Sequence, residues 1–276
     1  MLEEPRPAGV FPLRKNPNAE LRLFCFHHAG GSAATFRPWV DFLPDYIELW
    51  AVQLPGRGER SMDPPLKRLP LILNDVAMGV VSHVDRAFAF FGHSMGAAVA
   101  FEIARLLRKL YDVQPAHIIA SGCKAPQCLR YSNPSYLLPD DKFIERLKSL
   151  NGIPSVLLEN PRMLEVVLPI IRADLEALQT YKYEPGAPLD CPITVMAGIN
   201  DNLVNLAGLV GWKKQTTATC VTYLLSGGHF VFNTDRNAFL QIIIDALGSS
   251  ATAGAANPTA KGKIVPSFTK ARAGQG

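Results

Sequence analysis

A serine between two glycines is the first feature of this sequence that could support nucleophilic catalysis. Gly-His-Ser-Met-Gly spans residues 92–96 and places Ser94 between Gly92 and Gly96. It directly follows an apolar run, AFAFF, and precedes a helix-like stretch, which is the strand-turn-helix setting of a nucleophile elbow. The glycines allow a strained turn and a close approach of strand and helix. The pattern predicts Ser94 as a nucleophile; the alternative is a serine that only caps a helix.

A serine hydroxyl needs a general base, and the base needs a group that orients it. His229 follows the last predicted strand, where Gly227 and Gly228 give the loop freedom to turn the imidazole toward Ser94. A solvent-exposed loop histidine is the alternative. Asp201 follows the predicted strand PITVMA, so its carboxylate is expected at the same edge of the sheet as the serine. The chain order serine, aspartate, histidine is that of α/β-hydrolases.

Two other carboxylates compete with Asp201 for the orienting role. Asp190 precedes its strand, which would place it at the opposite end of the sheet from Ser94. Asp235 follows the histidine and is typical of a helix N-cap. We therefore predict Asp201 as the acid.

Acyl transfer also requires hydrogen-bond donors for a tetrahedral oxyanion. The backbone N–H of Met95, the residue after the predicted nucleophile, is one donor. A second donor usually comes from a loop after an early strand. Here His-His-Ala-Gly-Gly at 27–31 follows the run LRLFCF, and this flexible turn could aim the Ala29 N–H inward. His27 and His28 either contact substrate or pack locally.

Short apolar runs separated by helix-like stretches predict the fold class. The strand-like runs are residues 21–26, 47–54, 87–91, 117–121, 192–197 and 220–225, and we expect all of them to be buried. Helical spacing of apolar residues covers 70–84, 97–110, 203–214 and 236–247. This alternation is typical of an α/β fold with a mainly parallel sheet and helices on both faces.

One interval, about 125–185, breaks the alternation and predicts an inserted helical lid. Helical patterns lie at 140–150 and 161–181 with proline punctuation and no convincing strand. Residues 1–248 are predicted to form the α/β domain together with this lid. Residues 249–276 carry too few large apolar side chains to offset the entropy of ordering, so we predict a disordered tail.

Composition and charge narrow the class of protein. The chain has 276 residues, 48% hydrophobic and 19% charged, enough for one large α/β domain. The net charge is +4, but the basic residues are scattered, so nucleic-acid binding is not predicted. Five widely spaced cysteines predict buried thiols rather than a metal site. The N-terminus shows neither a signal peptide nor a membrane span, so we expect a cytoplasmic protein without membrane association.

Over most of residues 20–248 these motifs resemble the type II thioesterases of polyketide and nonribosomal peptide synthases. The resemblance depends on H-A-G-G (28–31) with F-R-P-W (36–39), Q-L-P-G-R-G-E-R (53–60), G-H-S-M-G-A (92–97), D-x-L-V (201–204) and G-G-H-F (227–230). Q-L-P-G-R-G-E-R is the most specific, because a generic hydrolase does not require it. Two departures are His27 and His28, where relatives often carry proline or an aromatic residue, and the tail.

The resemblance implies an α/β-hydrolase fold with a helical lid. It implies hydrolysis of acyl groups from the phosphopantetheine arm of acyl or peptidyl carrier proteins, either to remove aberrant groups or to release a finished product. The triad would be Ser94, Asp201 and His229, and the oxyanion hole would use the N–H groups of Met95 and Ala29. No metal or other cofactor is expected, because phosphopantetheine belongs to the substrate. We expect a monomer.

Three alternatives remain for the same residues. A carboxylesterase or lipase would act on an oxygen ester, and an acyltransferase would pass the acyl group to an alcohol or amine. A catalytically silent binding protein would keep the hydrolase fold without turnover.

Four basic residues are candidates for docking of a carrier protein, which commonly presents acidic side chains around its phosphopantetheine serine. They are Arg57, Arg60, Lys67 and Arg68, between the Q-L-P-G segment and the next predicted helix. This stretch follows a parallel strand, so it should lie on the Ser94 side of the sheet. The alternative is that the charges are only solvated, with Arg57 structural in its G-R-G turn.

Overall fold

A seven-stranded sheet organises the chain. The computed structural model describes residues 9–150, 152 and 159–254, and only the backbone of 249–254. The strands are β1 (Val10–Arg14), β2 (Leu21–Phe26), β3 (Ile47–Val52), β4 (Ala87–His93), β5 (His117–Ser121), β6 (Ile193–Gly198) and β7 (Cys220–Leu225). Their order is β1-β3-β2-β4-β5-β6-β7; β1 runs antiparallel to β3, and the other pairs are parallel. The predicted α/β class with a mainly parallel sheet is confirmed.

Helices connect the parallel strands. They are α1 (Leu69–Val81) after β3, α2 (Met95–Tyr111) after β4, α3 (Asp140–Ser149) and α4 (Pro161–Gln179) between β5 and β6, α5 (Leu206–Val210) after β6, and α6 (Arg236–Gly254) after β7. The predicted helix over 203–214 is shorter than expected. The Asn205 side chain accepts from the Gly208 N–H at 2.8 Å, so α5 begins only at Leu206, and a 3₁₀ turn follows at Gly211–Gln215.

The two faces of the sheet pack against different helical layers, because successive side chains of a strand alternate between the faces. Phe24 and Phe26 of β2 pack in the layer that contains α1 and α2. Leu23 and Cys25 pack in the layer that contains α6 and the 3₁₀ segment Ala33–Trp39. The central strands are therefore buried on both sides, and the loops at their carboxyl ends are fixed in position by a rigid sheet.

The edge strands differ from the sequence expectations. Val221, Tyr223 and Leu224 of β7 are each at least 40% exposed, so the prediction that 220–225 is a buried strand is wrong. The reason is position: among the described residues β7 pairs only with β6, at the end of the sheet. β1 was not predicted. It contains Pro12, which is tolerated on an edge strand, and its apolar run is short.

The interval predicted as a lid consists of helices, as expected, where it is described. Phe143 and Leu147 of α3 pack with Ile171 of α4 in a small apolar cluster of their own. Ala177 and Leu178, at the end of α4, belong instead to the main core. Residues 151 and 153–158 lie outside the described residues. That the interval moves as a lid stays a prediction.

The predicted boundary between domain and tail, after residue 248, falls inside α6. The helix continues through 249–254 and ends at Gly254, so the tail prediction is wrong for these residues. Their composition, SSATAG, does not favour a helix by itself. They extend a helix that is already formed, and each added residue gains a hydrogen bond without a new nucleation cost. The rest of the predicted tail, 255–276, lies outside the described residues.

The five cysteines are free thiols. Burial as predicted holds for Cys25, Cys123 and Cys191, whereas Cys128 and Cys220 are only half-buried. None of the described helices is long and apolar enough to cross a membrane.

Candidate active site

Ser94 occupies a sharp turn between β4 and α2. Its φ of 54° and ψ of −116° are rarely adopted by a residue with a side chain. The flanking glycines are required by space: a Cβ added at Gly92 would lie 2.3 Å from the Gly96 carbonyl oxygen, and one at Gly96 would lie 2.1 Å from that of Phe26. The Ser94 N–H donates to the Ser121 carbonyl at 2.8 Å. The strained elbow expected from the sequence is therefore present.

His229 and Asp201 form a buried hydrogen-bonded pair. His229 Nδ1 and Asp201 Oδ2 are 2.8 Å apart, and the Asp201 side chain is fully buried. The second oxygen, Oδ1, accepts from the Leu203 N–H at 2.8 Å and so closes a turn that fixes the carboxylate. Because Nδ1 faces the carboxylate, Nε2 is the nitrogen left to exchange a proton with a hydroxyl. Ser94 lines the same cavity as His229.

The competing carboxylates lie elsewhere. Asp190 precedes β6 at the opposite edge of the sheet, where its Oδ1 accepts from the Thr217 hydroxyl at 3.0 Å. Asp235 Oδ1 accepts from the Ala238 N–H at 3.0 Å, as an N-cap of α6 does. Of the three candidates, the structure brings Asp201 to the histidine.

The loop after β2 lies against the N-terminus of α2. A Cβ at Gly96 would be 2.7 Å from the His27 carbonyl oxygen, so the two backbones are in close contact. Ala29 lines the cavity together with Ser94. Met95 is the first residue of α2, and its N–H is one of the donors that a helix N-terminus leaves unpaired. Both predicted oxyanion donors thus belong to segments at the cavity, and their role stays a prediction.

Further histidine rings surround the site. The ring centroids of His28 and His93 are 6.0 Å apart, and those of His93 and His229 are 5.0 Å apart. Burial, followed by the charge of Arg57, lowers the pKa of His27 to about 3. Burial likewise lowers the pKa of His28 to about 3 and that of His93 well below its ordinary value. These three rings are neutral at pH 7 and place no positive charge beside the base. His28 lines the cavity, whereas His27 is packed inside.

Gly122, directly after β5, was not among the predicted site residues. Its φ is +59°, and a Cβ there would lie 2.6 Å from His93 Cε1 and 3.3 Å from His229 Cε1. Only a glycine therefore leaves room for the two imidazoles. The signal in the sequence was a glycine at the carboxyl end of a predicted strand, which alone does not indicate contact with the base.

A cavity of about 310 Å³ opens beside the serine. Its apolar wall includes Leu147 of α3 and Ile171, Leu175 and Leu178 of α4, so the helices between β5 and β6 cover the site. Arg146 and Gln179 add polar groups to the lining. Within the described part of the chain, no group of three or more His, Cys, Asp or Glu side chains is placed to hold a metal ion.

Two of the four predicted docking residues are already engaged inside the protein. Arg57 is buried and donates to both oxygens of Asp174, at 2.5 and 2.8 Å. Arg60 donates to both oxygens of Asp75, at 2.7 and 2.8 Å, and its side chain is 11% exposed. The prediction that Arg57 and Arg60 dock a carrier protein is wrong, because internal carboxylates satisfy both guanidinium groups.

The other two predicted docking residues reach solvent. Lys67 is exposed, and the Arg68 side chain is 54% exposed although it pairs with Glu176 of α4. Their contact with a carrier protein stays a prediction.

The geometry agrees with comparisons to known proteins. The family model described as "Thioesterase domain" matches residues 21–247. The chain belongs to the thioesterase family. It is therefore a hydrolase that acts on thioesters, and the resemblance proposed from the sequence motifs is confirmed.

This thioesterase is similar in sequence or structure to three known proteins. Linear gramicidin dehydrogenase LgrE of Brevibacillus parabrevis is 40% identical over 234 residues, which cover 84% of this chain and 89% of LgrE. Gramicidin S biosynthesis protein GrsT of Aneurinibacillus migulanus is 39% identical over 232 residues, 84% of this chain and 91% of GrsT. The structure of the type II thioesterase BorB from the borrelidin biosynthetic cluster superposes with a TM-score of 0.81 at 32% identity, covering 87% of this chain and 98% of BorB. The predicted α/β-hydrolase fold is confirmed by these likenesses.

Proposed function

We propose that this thioesterase hydrolyses acyl groups from the phosphopantetheine arm of acyl or peptidyl carrier proteins in polyketide or nonribosomal peptide synthesis. The observation that carries the proposal is the strained Ser94, which lines one cavity with a His229 whose Nδ1 is 2.8 Å from the buried Asp201. The names of BorB and GrsT, a type II thioesterase and a peptide biosynthesis protein, support the substrate class.

In the first half of the reaction, His229 Nε2 takes the proton of the Ser94 hydroxyl as the oxygen attacks the thioester carbonyl carbon. The N–H groups of Met95 and Ala29 donate to the oxyanion that forms. Asp201 holds the imidazole in the required tautomer and stabilises the imidazolium. As the C–S bond breaks, the imidazolium gives its proton to the leaving pantetheine sulfur, which departs as the free thiol.

In the second half, His229 removes a proton from water, which attacks the acyl-serine carbonyl. The Ser94 oxygen leaves with the proton held by His229, and the free carboxylic acid departs. Every proton is thus accounted for by the side chains of this chain and water. We propose that the reaction uses no metal or redox cofactor and that phosphopantetheine enters as part of the substrate, with the protein acting as a monomer.

LgrE carries the name of a dehydrogenase, whereas the arrangement here suits acyl transfer. Hydride transfer does not require a serine nucleophile with a histidine base and an orienting aspartate. The apolar wall formed by Leu147, Ile171 and Leu175 suits an acyl chain.

The proposal is tested by intact-mass spectrometry of a panel of carrier proteins, each loaded with a different acyl group, before and after exposure to the enzyme. We expect loss of the acyl mass, with the phosphopantetheine arm left as a free thiol. The panel also separates removal of short aberrant groups from release of a long product.

Matched controls distinguish the alternatives. Oxygen esters of the same acyl groups would be turned over faster by a carboxylesterase or lipase, and added alcohols or amines would become acylated by an acyltransferase. A silent binding protein would leave every carrier protein loaded and Ser94 unlabelled by a fluorophosphonate. Any of these results would contradict the proposed function.

A further inference from the structure

The Q-L-P-G-R-G-E-R segment, which the chemistry of the triad does not require, contacts the loop that carries the second oxyanion donor. Its arginine, Arg57, points into the protein, with a side chain 6% exposed facing an Asp174 that is 1% exposed. Nη1 donates to Asp174 Oδ2 at 2.5 Å and Nη2 donates to Oδ1 at 2.8 Å. The pair thus links the segment after β3 to α4, across 117 residues of chain.

Both members of this pair also bind the loop backbone. Asp174 Oδ2 accepts from the Gly30 N–H at 2.7 Å. Arg57 Nη1 donates to the Gly31 carbonyl oxygen at 3.2 Å. The Gly30 N–H belongs to the peptide plane that begins at Ala29, so this hydrogen bond fixes the backbone immediately after the oxyanion donor.

The same loop is held from two further directions. Gln53 Oε1 accepts from the Ala33 N–H at 2.7 Å, and Gln53 Nε2 donates to the Arg57 carbonyl oxygen at 2.8 Å. On the α4 side, Gly30 has a φ of +76°, and a Cβ there would lie 2.4 Å from Ile171 Cγ1. The backbone of the loop is therefore packed directly beneath α4.

We propose that Arg57 and Asp174 are positioning residues for the oxyanion hole: they clamp residues 29–31 between the Q-L-P-G-R segment and α4, so that the Ala29 N–H keeps its direction toward the developing oxyanion. The inference rests on the proposed acyl-serine mechanism. Donors stabilise a transition state most when they need no reorganisation. Since a buried ion pair adds little net stability over apolar side chains of similar volume, its contribution here is the geometry of the loop.

Two variants test the clamp. Arg57→Met combined with Asp174→Leu removes both charges together and so avoids leaving one unpaired in the interior. Arg57→Lys keeps the charge pair but loses the two-pronged guanidinium geometry. The matched control is Arg60→Met combined with Asp75→Leu, because this pair has the same two-pronged geometry on the same segment but holds α1.

Two readouts distinguish positioning from a structural role. With a small pantetheine thioester we expect kcat of the Arg57/Asp174 variant to fall roughly a hundredfold, as for loss of one oxyanion donor, and KM to change less than about threefold. The ³¹P resonance of Ser94 phosphonylated by a fluorophosphonate should shift toward that of a free phosphonate ester, because the P=O group loses a donor. Arg57→Lys should change kcat and the ³¹P shift in the same direction as the double variant. The Arg60/Asp75 control should change neither readout.

A folded Arg57/Asp174 or Arg57→Lys variant with the wild-type kcat and ³¹P shift would overturn the inference, and so would a raised KM with unchanged kcat. The ³¹P readout does not depend on the natural substrate. If the wild type fails to hydrolyse the thioester, the ³¹P shift can still differ between the wild type and the Arg57/Asp174 variant. In that case the proposed function fails and the positioning role stands.

Discussion

Both oxygens of Asp201 are occupied in the folded protein, one by His229 and the other by the Leu203 N–H. Asp201→Asn preserves the size of the side chain but disrupts the tautomer that lets His229 act as a base. We expect kcat to fall on the order of ten-thousand-fold, as for the orienting acid of other serine triads. Asp190→Asn is the matched control and should stay near the wild-type rate. A crippled Asp190→Asn beside an active Asp201→Asn would reverse the assignment.

The site residues that could be predicted from the sequence are those with a local signal. Ser94 has the glycine-flanked turn, and Asp201 and His229 each follow a predicted strand in the expected chain order. Asp174 has no such signal, because a single aspartate in an amphipathic helix is normally solvated. Its partner Arg57 carries a motif, but the motif does not show that the side chain turns inward to a helix 117 residues away.

At the scale of elements, the two halves of the predicted lid differ in their packing. α3 contributes Phe143 and Leu147 to a small separate cluster, whereas the end of α4 enters the main core and carries Asp174. We expect amide hydrogens of Asp140–Ser149 to exchange faster than those of residues 173–178. The reason is that α3 buries fewer of its side chains, and among the described residues no buried ion pair holds it.

Hydrogen-exchange mass spectrometry resolves these two segments. The central strand β4 serves as the slow-exchanging internal control. Equal, strand-like protection of both segments would contradict a moving lid.

The central strands β2 to β6 were predicted to within two residues at their ends, because the apolar runs of a sheet covered on both faces are a strong signal. The edges could not be predicted. CVTYLL of β7 has the composition of a central strand, yet its place at the end of the sheet exposes Tyr223 and Leu224. Position in a sheet depends on which strands pair, and residue types within one run do not encode that.

At the scale of the whole molecule, the buried histidines make stability depend on pH. Burial lowers the pKa of His27 to about 3, of His117 to about 4 and of His93 well below its usual 6.5. Below pH 6.5 the unfolded chain binds more protons than the folded one, so the free energy of unfolding falls as pH falls toward 4. Each such histidine contributes a slope of about 1.4 kcal/mol per pH unit.

Urea unfolding at a series of pH values from 7 to 4 measures this slope, and His27→Phe should reduce it by about 1.4 kcal/mol per pH unit. His27 Nε2 is buried without a hydrogen-bond partner among the described residues, so the phenyl ring loses only the contact of Nδ1 with the His28 carbonyl oxygen, which is 2.8 Å long. An unchanged slope in His27→Phe would show that His27 is charged in the folded protein.

The surface charge of the molecule leads to a prediction for carrier-protein association. Lys67 is exposed at the N-terminus of α1, on the Ser94 side of the sheet, and the chain has a net charge of +4. We expect Lys67→Glu to slow association with an acyl-loaded carrier protein roughly threefold or more at low salt and to flatten its salt dependence.

Lys109→Glu is the matched charge reversal, since Lys109 is exposed near the opposite end of α2 from Ser94. It should leave association unchanged, and neither variant should alter turnover of a small pantetheine thioester. Equal losses on the small and the carrier-bound substrate would mean that Lys67 supports the pocket rather than docking.

The most direct measurement detects the acyl group while it is covalently bound to the enzyme. The enzyme is mixed with an acyl-loaded carrier protein, quenched within milliseconds, digested and mapped by mass spectrometry. The acyl mass should lie on the peptide that contains Ser94 and should disappear as the free acid forms. Ser94→Ala should be folded, carry no acyl group and lose roughly a million-fold in kcat. An acyl group on another residue, or a folded Ser94→Ala variant within about tenfold of the wild-type rate, would contradict catalysis through this serine.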